Sequence, residues 1–270
     1  MKFSLLVGTY GTRIDEMRRL FDSITKQTYK NFEVIVGSQV NHDEVSKLLS
    51  GYDFDYKHIR LEGKGVSKSR NGIMGYATGD VYTFTDDDCW YRENTLEVVK
   101  SYFEKYNPDM ACFQHKDPEL NKSTTVYAEN EILGLSKMKV LKVITFDMWF
   151  NAKTVDPKVR RFDERFGVGT KYSSGEENVF VMELYNEGDK KLYYFPELIT
   201  YHPYKAVNYI DKDAILGKGP LFKRLFGGFS GFFMFIAFCL KKRRMIKENC
   251  DGKFMSVVYP AIVEQLKFKI

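Results

Sequence analysis

Val81-Tyr82-Thr83-Phe84-Thr85-Asp86-Asp87-Asp88 is the stretch on which the fold turns, because a run of β-forming residues ends there in three consecutive carboxylates. β-Branched and aromatic side chains without polar alternation predict a buried strand over Val81 to Thr85. Ligands of open α/β sheets collect beyond the carboxyl ends of their strands, which is where Asp86, Asp87 and Asp88 fall. Adjacent carboxylates repel one another unless they are solvated or neutralised, and a divalent cation is the usual neutraliser. A solvated acidic turn is the plainer reading of the same residues.

Upstream, Phe3 to Val7 is a short apolar strand, followed by Met17, Leu20, Phe21 and Ile24 at helical spacing behind a Thr12 cap. Phe32 to Val36 is the second strand, and the strand, helix, strand order with short connections implies a right-handed parallel unit. Tyr56 to Leu61 reads as a third strand, and Val66, Ser69, Arg70, Ile73, Met74 and Ala77 share a face of the helix after it. Downstream, Leu96, Val99 and Phe103 mark a helix and Asp109 to Gln114 a strand, with a polar loop over Lys116 to Thr125. Ile144 to Ala152 reads as a strand-rich insertion, Glu176 to Gly188 as a helix, and Leu192 to Tyr201 as a late strand interrupted by Pro196. The expected class is α/β, with a mostly parallel central sheet flanked by helices.

Composition places limits on function. The 270 residues are 44% hydrophobic and 29% charged, ordinary for a globular chain able to bury a core. Cys89, Cys112, Cys239 and Cys250 are too dispersed for a C-x-x-C pair or a disulfide framework, so a reducing cytoplasm is expected. The opening Met1 to Thr12 reads as a first strand, without the apolar length or cleavage site of a signal peptide. Of the 41 Lys and Arg, eight lie between Gly217 and Lys247, where there is no acidic residue, so the remainder of the chain is slightly acidic. That basic stretch encloses an apolar run from Leu225 to Leu240, shorter than the roughly 20 residues a spanning helix needs. Basic residues flanking an apolar helix suit an anionic membrane surface better than nucleic acid. The expected organisation is a catalytic domain over 1–212, divided into halves 1–115 and 116–212, and an apolar, basic helical appendage over 213–270.

Several segments taken in order resemble the inverting GT-A glycosyltransferases of family two, the bacterial polysaccharide type. Thr85-Asp86-Asp87-Asp88 looks like their D-x-D metal motif. Val7-Gly8-Thr9-Tyr10 follows the first strand, Gln27-Thr28-Tyr29-Lys30-Asn31-Phe32-Glu33 leads into the second, and Gly65-Val66-Ser67-Lys68-Ser69-Arg70-Asn71 opens a helix. Ala77-Thr78-Gly79-Asp80, Phe162-Asp163-Glu164-Arg165-Phe166-Gly167, Gly175-Glu176-Glu177-Asn178, and Pro196 with His202 complete the series over roughly residues 3 to 203. Each piece is weak alone, and the common order makes coincidence improbable.

The resemblance implies transfer of one sugar, with inversion, from a nucleotide diphosphate sugar to a hydroxyl of a glycan or polyprenyl-diphosphate-linked acceptor. Asp88 is implied to be the direct ligand of Mn2+ or Mg2+, with Asp86 nearer the ribose or reaching the metal through water, His202 as a further ligand, and Asp87 to point away or to lie beside the donor. Thr9, Tyr10, Ser38, Gln39, Lys64 and Arg70 are the implied nucleotide-sugar contacts, Arg70 through a two-point guanidinium grip on phosphate. The general base falls in Gly175-Glu176-Glu177: Glu177 stands where relatives carry Asp, and Glu176 remains an alternative. Two glutamates opening a helix also suit its dipole without any chemistry.

Relatives usually end the second strand in Asp-Asp-Gly-Ser, whereas here Val36 is followed by Gly37-Ser38-Gln39. With no carboxylate to read the base, a UDP-sugar is the first expectation, and guanosine or thymidine stays open. A sugar-phosphate nucleotidyltransferase would show a glycine-rich loop with Arg and Lys after the first strand, which Gly8 to Arg13 lacks; a non-catalytic sugar-nucleotide-binding protein is the other alternative. A processive synthase lacks support, since there is no Gln-x-x-Arg-Trp. The segment from Lys218 to Lys247 is expected to hold the protein on the inner face of the cytoplasmic membrane, or else to dock on the body of the protein or form a homodimer contact. A chain ending near Asp213 is expected to keep metal-dependent donor hydrolysis.

Overall fold

A computed structural model describes residues 1–205 and 210–270. Contacts divide the chain into two compact units: Met1–Lys64, Lys68–Arg161 and Glu183–Lys205 form the first, and Gly65–Ser67, Phe162–Met182 and Ala206–Ile270 the second.

The elements run β1 (Phe3–Thr9), α1 (Ile14–Thr25), β2 (Phe32–Ser38), α2 (His42–Leu49), β3 (Tyr56–Arg60), α3 (Val66–Met74), β4 (Val81–Asp86), β5 (Trp90–Tyr91), α4 (Thr95–Tyr106), β6 (Met110–Lys116), β7 (Ile132–Leu133), α5 (Lys137–Val140), β8 (Met148–Asn151), α6 (Glu176–Asn186) and β9 (Leu192–Tyr201). The sheet of the first unit has the order β3-β2-β1-β4-β8-β6-β9-β5, with β7 also paired to β9. Strands β3, β2, β1 and β4 are parallel, as the alternation of strand and helix predicts. Antiparallel β8 joins this block to the parallel pair β6 and β9. β1 and β2 are apolar because helices cover both faces of a parallel sheet: Phe3, Leu5, Val7, Val34 and Val36 are fully buried. Trp149 of β8 is equally buried and meets Phe3 edge to face at 5.7 Å.

Gly79 sits where the turn before β4 crosses the start of β1. A Cβ there would lie 2.8 Å from the Lys2 carbonyl oxygen and from Ser4 N, so only glycine fits. Glu33 of β2 fastens the same corner by accepting from Ser4 Oγ (2.6 Å), Lys2 Nζ (2.8 Å) and Thr78 N (2.7 Å).

Three local expectations change. Thr12 does not cap α1: Arg13 stands at that cap without a side-chain bond, its guanidinium being drawn to Asp87 and Asp88. α2 escaped the sequence reading because eight residues with only Val45, Leu48 and Leu49 buried make a weak periodic signal. Pro196 does not break β9; the register to β6 slips there instead, leaving the missing N–H outside the ladder.

In the second unit, α7 (Lys212–Phe226), α8 (Gly228–Lys241), α9 (Arg243–Asn249) and α10 (Phe254–Lys267) follow one another. The apolar run expected as one helix is divided at Gly227, whose φ of 82° ends α7. α8 then folds back, and a Cβ on Gly231 would lie 2.5 Å from the Phe222 carbonyl oxygen, so this glycine serves a close helix crossing. No helix among the described residues is long and apolar enough to cross a membrane.

Part of the basic stretch is engaged within the second unit. Arg224 Nε donates to Asp163 Oδ2 at 3.2 Å, Lys223 Nζ reaches the Leu266 carbonyl at 3.3 Å, and Lys218 Nζ lies 3.3 Å from Ser174 Oγ. These three cations are used within the second unit. The exposed basic group is Lys241, Arg243, Arg244 and Lys247. A chain ending near Asp213 would lose Leu221, which packs on Gly175, and Phe268, whose ring lies 5.7 Å from that of Phe166. Truncation therefore strips the core of this unit instead of removing an appendage.

Candidate active site

β4 delivers Asp86, Asp87 and Asp88 to the carboxyl edge of the sheet, where the Cys89 N–H closes a turn onto the Asp86 carbonyl at 3.1 Å. The three side chains take different directions. Asp86 is half-buried and accepts from Arg70 Nη2 of α3 at 3.2 Å. Asp87 turns inward, 8% exposed, accepting from Thr9 Oγ1 at 2.6 Å and Arg13 Nη1 at 3.0 Å. Asp88, 4% exposed, accepts from Arg13 Nη1 at 2.9 Å and from the Lys205 ammonium, and its Oδ1 lies 3.3 Å from His202 Nε2.

Environment separates the two inner acids. Burial raises the Asp87 pKa, and the charges of Asp86 and Asp88 add to this against the Thr9 hydrogen bond and the Arg13 charge. Burial would raise Asp88 also, but hydrogen bonds and charges from His202 and Lys205 outweigh it and hold this carboxyl well below the usual range. Asp88 is thus the more acidic of the two, whereas Asp87 with Thr9 is the buttress of the turn; Thr9 Oγ1 also accepts from Gly11 N at 2.8 Å.

His202 arrives from the other side, one residue past β9, its N–H bonded to the Lys116 carbonyl at 3.1 Å. Its ring stacks on Phe146 with centroids 4.7 Å and planes 17° apart. Nδ1 is buried and has no hydrogen-bond partner. Asp88, Cys89 and His202 present ligand atoms within 4.8 Å of one another. Burial pushes the Cys89 thiol well up, with Asp86 and Asp88 adding to it. Carboxylate oxygens with one imidazole suit Mn2+ or Mg2+, and His202 brings its Nε2 to 3.3 Å from Asp88 Oδ1. Asp88 and His202 would hold such an ion, with Asp86 at the exposed side.

The remaining residues implied by the sequence are placed as follows. Tyr10 follows β1, and Lys64 is exposed in the loop after β3. Ser38 is fully buried at the end of β2, its hydroxyl between His42 Nδ1 (2.6 Å) and His58 Nε2 (2.8 Å). Gln39 Nε2 donates to the Gly63 carbonyl at 3.1 Å. Ser38 is therefore engaged by two imidazoles, and burial, Arg60 and His42 lower the His58 pKa, keeping that ring neutral.

Glu176 and Glu177 lie in the second unit, opening α6 after Gly175, whose φ is 97°. Glu176 is 7% exposed and Glu177 is half-buried. Desolvation lowers the Lys218 ammonium pKa, opposed by the charges of Glu177 and Glu176, so this lysine belongs to the carboxylate environment. Sequence reading missed Lys218 in this role, and it missed Arg13, Lys205 and Phe146. It also missed Arg19, which donates to the Asp88 carbonyl at 3.1 Å while stacking on Trp90 at 3.7 Å. Only tertiary contact marks these residues; none lies in a motif.

A mixed central sheet of this order flanked by helices is that of the GT-A class of nucleotide-diphospho-sugar transferase folds, and solved structures share it. The chain resembles Staphylococcus aureus TarS 1–349 in complex with UDP-GlcNAc, with a TM-score of 0.68 at 16% identity over 99% of this chain and 89% of that one. It resembles mannosyltransferase PcManGT from Pyrobaculum calidifontis, in complex with GDP-Man and Mn2+, with a TM-score of 0.61 at 12% identity over 98% of this chain and 87% of that one. The chain belongs to glycosyl transferase family 2, whose family model matches residues 4–175. Glycosyltransferase GlyA of Streptococcus pneumoniae is 26% identical over 217 residues, 74% of this chain and 30% of that protein. The poly(ribitol-phosphate) beta-N-acetylglucosaminyltransferase TarS of S. aureus is 25% identical over 122 residues, 43% of this chain and 21% of that protein. The chain thus spans less than a third of the length of these two relatives.

Proposed function

We propose that this protein is a metal-dependent, inverting glycosyltransferase that moves one sugar from a nucleotide diphosphate sugar to a hydroxyl of a glycan or lipid-linked saccharide. The observation that carries the reading is the approach of His202 Nε2 to 3.3 Å from Asp88 Oδ1 at the carboxyl edge of the sheet. Asp86 and Asp88 with His202 would hold Mn2+ or Mg2+, which takes up charge on the departing diphosphate. Arg70 beside Asp86 adds a guanidinium suited to phosphate. Glu177, with Glu176 as its alternative, accepts the acceptor hydroxyl proton as the oxygen attacks the anomeric carbon and the bond to diphosphate breaks. A UDP-sugar is the first choice of donor, in line with the UDP-GlcNAc bound by TarS, and GDP-sugars follow from the mannosyltransferase likeness.

The test is thermal. UDP or GDP should raise Tm only with Mn2+ or Mg2+ present, since a ligand of the native state stabilises it by mass action. A response to nucleoside triphosphate with sugar phosphate instead would favour a nucleotidyltransferase, and donor hydrolysis across a nucleotide-sugar panel would name the donor.

We place the protein at the inner face of the cytoplasmic membrane. α8 exposes Phe229 (81%), Phe233 (55%) and Leu240 (60%) along one stripe, and the exposed Lys241 follows Leu240. Such a face suits the interface of an anionic bilayer, where a polyprenyl-linked acceptor would be presented.

A further inference from the structure

Asp88 is claimed by two cations that are not metals. Its Oδ2 accepts from Arg13 Nη1 at 2.9 Å and from the Lys205 ammonium, while its Oδ1 faces His202. The carboxylate is nearly buried, with 5% of its side chain exposed, whereas the Arg13 and Lys205 side chains are 47% and 51% exposed. The acid is therefore fixed and its partners are free to swing. The backbone under Lys205 is anchored, since Tyr204 N donates to Asp117 Oδ2 at 2.6 Å. A divalent cation bound by Asp88 needs oxygen lone pairs that the ammonium occupies, and two cations on one carboxylate oxygen repel. The Lys205 ammonium and a divalent cation would therefore compete for Asp88, and a nucleotide diphosphate would bring negative charge able to receive the ammonium.

We propose that Lys205, assisted by Arg13, is a resident counter-cation of Asp88 that trades places with the divalent metal and turns to the donor diphosphate. The inference rests on the metal reading above. It makes metal and nucleotide binding mutually dependent: metal alone competes with Lys205 and binds weakly, and nucleotide relieves that competition by taking the ammonium. Reciprocity requires each ligand to tighten the other by the same factor. Lys205 lies three residues beyond His202, so one chain segment would supply both a metal ligand and its competitor.

The experiment titrates the full chain with Mn2+, followed by the electron paramagnetic resonance signal of the free ion, with and without saturating UDP. UDP binding is measured by calorimetry at saturating Mn2+. Wild-type protein should bind Mn2+ at least about tenfold more tightly with UDP than without. Lys205→Gln should bind Mn2+ alone about tenfold more tightly than wild type, bind UDP with Mn2+ about tenfold more weakly, and lose most of the coupling. Lys205→Arg should retain the wild-type pattern. A Lys205→Gln protein that matches wild type in both titrations, or binds Mn2+ alone more weakly, overturns the exchange and leaves the metal reading standing. Wild-type protein that takes up no Mn2+ even with UDP overturns both.

Discussion

His202 lies flat on Phe146, with ring centroids 4.7 Å apart, and this stack holds Nε2 3.3 Å from Asp88 Oδ1. A residue beyond the last long strand is thereby aimed at the end of β4 by an apolar ring that itself has no chemistry. His202→Ala should weaken Mn2+ binding by roughly tenfold and Mg2+ binding less, because imidazole prefers the softer ion. Phe146→Ala should reproduce part of that loss by releasing the ring. Equal losses for the two metals in His202→Ala would argue against ligation by the imidazole.

Asp88→Asn should abolish transfer and metal-dependent UDP binding while the protein stays folded by circular dichroism. The substitution removes a charged ligand at the sheet edge, not a core side chain. Near-normal turnover would remove Asp88 from the metal site.

Glu177→Gln should lower kcat by about a hundredfold or more with little change in donor affinity, as expected when general-base help is lost. If Glu176→Gln is the inactive variant that still binds donor, the buried glutamate is the base and Glu177 its neighbour.

Phe229→Ser together with Phe233→Ser should cut sedimentation with anionic vesicles at low salt several-fold, leaving metal-dependent donor hydrolysis unchanged. Both side chains are exposed on α8, so their loss leaves the helix crossing at Gly231 intact. Wild-type protein indifferent to anionic vesicles would reassign the stripe to a contact between protein chains.

Glu33 supplies a stability prediction. Burial would raise its pKa, but hydrogen bonds from Lys2, Ser4 and Thr78 lower it below the ordinary value. A carboxyl with a depressed folded pKa contributes stability above its unfolded pKa of about 4.3 and loses it as pH falls through the folded value. Glu33→Gln should cost about 2 kcal/mol at pH 7, and the difference from wild type should narrow below about pH 4. Urea unfolding at pH 7 and pH 3 measures both numbers.

The local pattern of residues was enough to establish the parallel block β3-β2-β1-β4, because apolar strand runs and helical spacing are written within a few neighbouring residues. It also marked Asp86, Asp88, Glu176 and Glu177 by type and by their places at element ends. Which groups surround each acid was decided only in three dimensions, where Thr9 and Arg13 capture Asp87, and His202 and Lys205 converge on Asp88. The same holds for Lys218 and Arg224, which read as membrane-facing charges and instead serve carboxylates of their own unit. Periodicity reports whether a side chain is turned inward. It carries no information about partners distant along the chain, because electrostatics and packing there depend on distance in space and not along the chain.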